Sequence, residues 1–162
     1  MAEMSSDARK LERDWRSMIS ISHDFFHRWR KVVEERLGPE ESMKLADSFW
    51  ESVGESTANS YLNRGKDTND LDQIVDAFVK ASLVMGESAR MAKDGDDVLL
   101  IHDACPWVDS FKNYGAPGQC TAGCDKWFEG ALKKISDNFS VKTECYIPAG
   151  GQTCTRRFSR KK

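Results

Sequence analysis

The stretch "FSVKTECYIPAGGQTCTRRFS", residues 139–159, carries the fold class. Its two ends, "FSVKTECYI" and "TCTRRFS", read as strands, and the Pro-Ala-Gly-Gly run at 148–151 joins them. Two extended runs around such a turn predict a hairpin. Just upstream, Cys124, Trp127, Phe128, Ala131, Leu132 and Ile135 fall on one stripe of a helix predicted over 121–137. Further out, "SARMAKDGDDVLLIHDAC" at 88–105 holds two short extended runs around a turn at Asp94 to Asp97, a second hairpin. Between these parts "NYGAPGQ" reads as a loop.

The first half has a different texture. Residues 7–37 predict a helix, with Trp15, Met18, Ile19, Phe25, Phe26, Trp29, Val33 and Leu37 at helical steps. Burial of this aromatic stripe, in a core or a dimer seam, is the expectation. "LGPEES" ends that helix at Gly38 and starts another at Pro39. The second stripe, through Leu45, Phe49, Val53, Tyr61 and Leu62, is weaker, and Gly54 interrupts it. "NRGKDTND" is a turn-rich loop, and a third helix follows over 70–86. The whole reads as one α+β domain over 1–162: a helical part, 1–86, packed on a small antiparallel sheet in a cysteine-rich part, 87–162.

Composition narrows the class. The chain has 162 residues, a net charge of −2 and 40 % hydrophobic content, so no global field favours nucleic acid. No apolar run approaches the roughly 18 residues of a membrane span. The start, "MAEMSSDARKLERDWR", is charged and lacks the apolar core of a signal peptide. A cytoplasmic protein with reduced thiols is therefore expected. The basic end, "TRRFSRKK", reads as a solvated tail.

Cysteine placement is the strongest compositional signal. All five lie between Cys105 and Cys154, and the first 104 residues contain none. Cys120 and Cys124 are one helical turn apart, and Cys145 and Cys154 sit at the ends of the predicted hairpin. If the helix packs on the hairpin, four sulfurs converge, a set suited to zinc or a [4Fe-4S] cluster. The alternative is buried free thiols in a core. A redox pair is disfavoured, because that motif separates its cysteines by two residues. Cys105, in "HDACPW", is a candidate nucleophile, a further ligand, or a core residue at a strand end. His102 is three residues away, which in a strand puts it on the opposite face. Trp107 offers a flat wall for a ligand. His23 and His27 have metal-ligand spacing on a helix but lie off the apolar stripe, so exposed or boundary positions are expected.

The run from Gly118 to Phe158 resembles the closing segment of 4-vinyl reductase-like domains. With "CPW" at 105–107 and the C-x3-C pair, the chain resembles the L-2-amino-thiazoline-4-carboxylate hydrolase-like family, most specifically over residues 101–158. The resemblance implies a small-molecule-binding α+β domain, often dimeric; in a binding or sensing module, Trp107, Trp127, Phe128 and residues of the N-terminal helices would line the pocket. Cys120, Cys145 and Cys154 match the three cysteines of the zinc set in the vinyl reductase-like sensors. Lys142 stands where their glutamate is expected, and Cys124 is the natural replacement. The hydrolase name implies opening of a thiazoline ring by water, with Cys105 and His102 as candidate catalytic residues. A non-catalytic ligand sensor and an iron–sulfur redox protein are the alternatives.

Overall fold

Helix α1, Ser6–Leu37, starts at Ser5, whose hydroxyl accepts the Ala8 N–H at 3.2 Å. This is a computed structural model describing residues 5–162, so the first four residues of the charged lead-in lie outside it. Gly38, at φ +84°, ends α1, and Pro39 opens α2, Pro39–Leu62, as the sequence predicts. Asp70 caps α3, Leu71–Val84, by accepting the Gln73 N–H at 3.1 Å.

Gly54 does not interrupt α2. A Cβ there would run into the Trp127 carbonyl oxygen, so the glycine allows close approach to helix α5, Pro117–Ile135. Gly123 and Gly130 of α5 meet Trp50 and Glu51 of α2 in the same way. Helix α5 begins four residues earlier than expected, with Pro117 in its first turn. Residues 106–113, left without an element by the sequence reading, form a further helix, α4, Pro106–Asn113.

The sheet is antiparallel, with strands β1, Ser88–Asp94; β2, Asp97–Ala104; β3, Phe139–Cys145; and β4, Cys154–Arg160, in the order β1-β2-β4-β3. Gly95, at φ +61°, makes the tight β1–β2 turn. Across the two central strands Val98 faces Phe158, Leu100 faces Arg156 and His102 faces Cys154. Strand alternation puts these six on one face, and all are buried. Ile74, Val75 and Phe78 of α3 and Phe128, Ala131 and Leu132 of α5 pack against its apolar members. Burying each such Phe contributes about 1.5–3 kcal/mol. A second cluster, around Phe26, Ala46, Phe111 and Cys120, ties α1 to α2, α4 and α5.

Two expectations reverse. His23 and His27 are buried, at 5 % and 0 % exposure, because α4 covers their side of α1. Trp107 stacks on His23 at 3.6 Å, and Tyr114 on His27 at 4.4 Å. The predicted aromatic stripe is correspondingly divided. Phe26 is buried, whereas Trp15, Met18, Phe25 and Trp29 remain exposed. The basic end is also no tail. Residues 155–160 lie in β4, where Arg156 is buried, Arg157 bridges Glu144, Asp94 and Asp97, and Arg160 donates to the Asn69 carbonyl at 3.2 Å. Among the described residues no helix is long and apolar enough to cross a membrane.

Candidate functional site

The inner face of the sheet does not close completely against the helices. A cavity of about 600 Å³ lies between α2, α3, α5 and the β2–α4 junction. Most of its wall is apolar. Trp107, Trp127 and Phe128, expected to line a pocket, all border it, together with Trp50, Tyr61 and Phe78. Phe128 stands edge-on to Trp127, with ring centres 4.7 Å apart.

Its polar end is built around His102. The imidazole Nε2 lies 3.0 Å from Ser82 Oγ and 2.9 Å from Glu87 Oε2. A carboxylate can only accept, so the proton belongs on Nε2, which donates to Glu87 and is shared with the Ser82 oxygen. His102 is 2 % exposed, and the Glu87 side chain 13 %. Cys105 reaches the same cavity as His102. The strand ends at Ala104, and Cys105 caps α4, so the alternation that would separate them no longer applies. Burial pushes the Cys105 thiol far up, and the Glu87 carboxylate and Cys124 push the same way. Cys105 is therefore a neutral thiol in this arrangement.

The cysteines divide into two groups. Cys105, Cys120, Cys124 and Cys154 border the cavity. Burial raises the Cys120 and Cys124 thiols to about 12 each. Cys154 Sγ accepts the Ile147 N–H at 3.3 Å. Cys145 does not border the cavity. It pairs with Thr155 across the hairpin, and its thiol donates to the Thr153 carbonyl at 3.4 Å. Side-chain hydrogen bonds with Thr153 and Thr155 lower its pKa. The expected set of Cys120, Cys124, Cys145 and Cys154 is thus split between two environments. Among the described residues no three His, Cys, Asp or Glu side chains gather as a metal site requires. As arranged, these residues do not fit a four-thiolate zinc or iron–sulfur centre. All five cysteines are free.

Arg156 also borders the cavity and is 1 % exposed. Its Nη2 reaches Asp125 Oδ1 at 3.3 Å, and its guanidinium lies 4.9 Å from the Phe128 ring centre. Asp125 Oδ1 also accepts the Thr143 hydroxyl at 2.5 Å. Nε and Nη1 of Arg156 have no hydrogen-bond partner. Leaving such buried donors unpaired costs about 1–3 kcal/mol each.

The sequence reading missed Ser82, Glu87 and Arg156. Arg156 was within reach of it, since the alternation Cys154, Arg156, Phe158 aims the arginine at the core. Ser82 and Glu87 carry no local signal, because only the packing of the α3 end on β2 brings them to His102.

Known proteins share this architecture. A trafficking protein particle complex subunit 3 from Naegleria fowleri, solved covalently bound to palmitic acid, superposes with a TM-score of 0.60. It is 12 % identical, over 88 % of this chain and 97 % of that one. The phenol-responsive sensory domain of the transcription activator PoxR, solved with phenol, gives a TM-score of 0.59 at 11 % identity. That match covers 85 % of this chain and 74 % of the other. At such identities the likeness is one of fold. No curated protein matches the sequence. The profile of the L-2-amino-thiazoline-4-carboxylic acid hydrolase family, in contrast, matches residues 18–158. That match spans nearly the whole chain, including both hairpins and the cavity, and the protein belongs to this family.

Proposed function

We propose that the protein binds a small heterocyclic molecule in this cavity and opens its ring with water. The observation that carries the reading is the partly open, mainly apolar cavity bordered by Ser82, Glu87 and His102, which lie within hydrogen-bond reach of one another. Its volume, about 600 Å³, falls within the roughly 300–1,000 Å³ of small-molecule sites. Trp107, Trp127 and Phe128 would hold a flat ring between them. Glu87, oriented by the His102 N–H, would take a proton from water as its oxygen attacks the carbon between ring nitrogen and sulfur. The ring C–S bond then breaks, and the sulfur leaves and is protonated as a thiol. Cys105, held neutral, would pack beside the substrate rather than attack it. Five free thiols suit a reducing, cytoplasmic setting.

The test is to incubate the protein with L-2-amino-thiazoline-4-carboxylate and follow the thiol that ring opening releases. The expected result is steady release that Glu87→Gln lowers by at least ~100-fold while binding persists. A second reading, a ligand sensor without chemistry, is favoured by the fold shared with a domain solved with phenol. Saturable binding with no thiol release would select it. Absence of binding at millimolar concentration would reject both.

The exposed face of α1 would carry self-association. Leu11, Met18, Phe25 and Val32 repeat every seven residues, with Trp15 and Trp29 between them, and all six are exposed. Such a seam on one long helix fits the same seam on a second copy.

A further inference from the structure

We propose that Arg156 is the specificity-determining anchor for an acidic group on the ligand, and that Asp125 is the resident counter-ion which that group supplements or displaces. The inference rests on the cavity being the ligand site. Three observations carry it beyond that reading.

Arg156 is almost completely buried in the cavity wall, yet two of its three guanidinium nitrogens have no acceptor. An arginine placed only for packing would have its donors satisfied or exposed to water. Its one ionic partner is also poorly committed. Asp125 meets it at 3.3 Å, a long contact for a charge-assisted bond, and spends the same oxygen on Thr143 at the shorter 2.5 Å. The Asp125 side chain is 32 % exposed, so it has solvent to retreat into when a better acceptor arrives.

The remaining neighbours cannot supply the missing charge. The Cys124 thiol is raised to about 12 by burial, so it is neutral near pH 7. The Phe128 ring offers a π-face but no lone pair for the two idle N–H groups. A planar carboxylate has the two acceptor oxygens that one edge of a guanidinium takes side by side, and since Nε and Nη1 lie on different edges, it pairs one of them with Nη2, the nitrogen that now meets Asp125. Arg156 and His102 occupy the same face of the sheet, on neighbouring inward positions of β4 and β2. A ligand anchored at Arg156 therefore extends across the sheet toward the Glu87–His102 end.

The experiment compares L-2-amino-thiazoline-4-carboxylate with its carboxamide, titrated calorimetrically into the full chain in a Glu87→Gln background, which holds the acid without opening its ring. With Arg156 in place that background is expected to bind the acid at least ~30-fold more tightly than the amide. In Arg156→Met that gap should shrink to about threefold or less, through loss of acid binding with amide binding kept, and Arg156→Lys should recover only part of it. Asp125→Asn removes the competing carboxylate and should tighten acid binding while leaving the amide unchanged, a result that does not depend on Arg156→Met folding. Equal binding of acid and amide with Arg156 in place, or an unchanged gap in Arg156→Met, overturns the assignment of Arg156 and leaves the cavity reading standing. Weaker acid binding in Asp125→Asn overturns the counter-ion role. If neither compound binds at millimolar concentration, the cavity reading falls and this inference with it.

Discussion

His23 and His27 are buried between α1 and α4, and three of their four ring nitrogens, His23 Nε2 and both of His27, have no hydrogen-bond partner. Burial lowers each to about 4, and for His27 the nearby Arg30 charge adds to it. Both are neutral in the folded protein, whereas the unfolded chain protonates them near pH 6.5. Between these values the unfolded state binds more protons, so stability is complete above about pH 6.5 and is lost as the pH falls toward 4. The loss at pH 4 should be on the order of 3 kcal/mol per histidine. Urea unfolding from pH 4 to 8 will measure it, and His27→Phe should flatten the acid slope; an unchanged slope would reject the account. The sequence misleads at these positions because periodicity reports which face of a helix is apolar, not which face another element will cover. Cysteines behaved differently. Their clustering was visible along the chain, but the β3–β4 register, which pairs Cys145 with Thr155, was not.

At the scale of elements, the turn chemistry was legible. Gly38 with Pro39, the Asp94–Asp97 turn and the hairpin at 139–159 are all where local rules put them. Helix α4 was not, because eight residues between Pro106 and Gly115 are too few to establish a period. Gly54 was read as a gap in the apolar stripe, and only the partner helix shows that the gap lets two backbones approach. Gly54→Ala should accordingly destabilise the protein by about 3 kcal/mol, measured by denaturant midpoint, since the clash is with a backbone oxygen that cannot swing aside. A mutant as stable as wild type would show that α2 and α5 can separate without cost. The apolar seam of α1 predicts concentration-dependent self-association by sedimentation. Phe25→Glu should shift it to monomer without changing the fold, because Phe25 is 69 % exposed and contributes little to the core.

At the scale of the molecule, the cavity is the joint between the helical part and the sheet. Both halves of the chain supply its wall, so a bound ligand must stabilise the whole fold rather than one part. At a hundredfold excess over Kd this amounts to about 2.7 kcal/mol, read as a single cooperative shift of the melting transition. A biphasic melt in which only one part responds would contradict the shared wall. The α+β class was legible because hairpins and helix stripes are local, and the family because the motifs that carry the resemblance, "CPW" at 105–107 and the run from Gly118 to Phe158, are contiguous in the sequence. The cavity was not, because it is what remains between elements whose spacing depends on Gly54, Gly123 and Gly130. That wall has one more property. Trp50, Trp107 and Trp127, three of the five tryptophans in the chain, border the empty space. Their emission depends on how wet and how polar that space is, so a ligand that enters the cavity is expected to change the intrinsic fluorescence of the protein without any label.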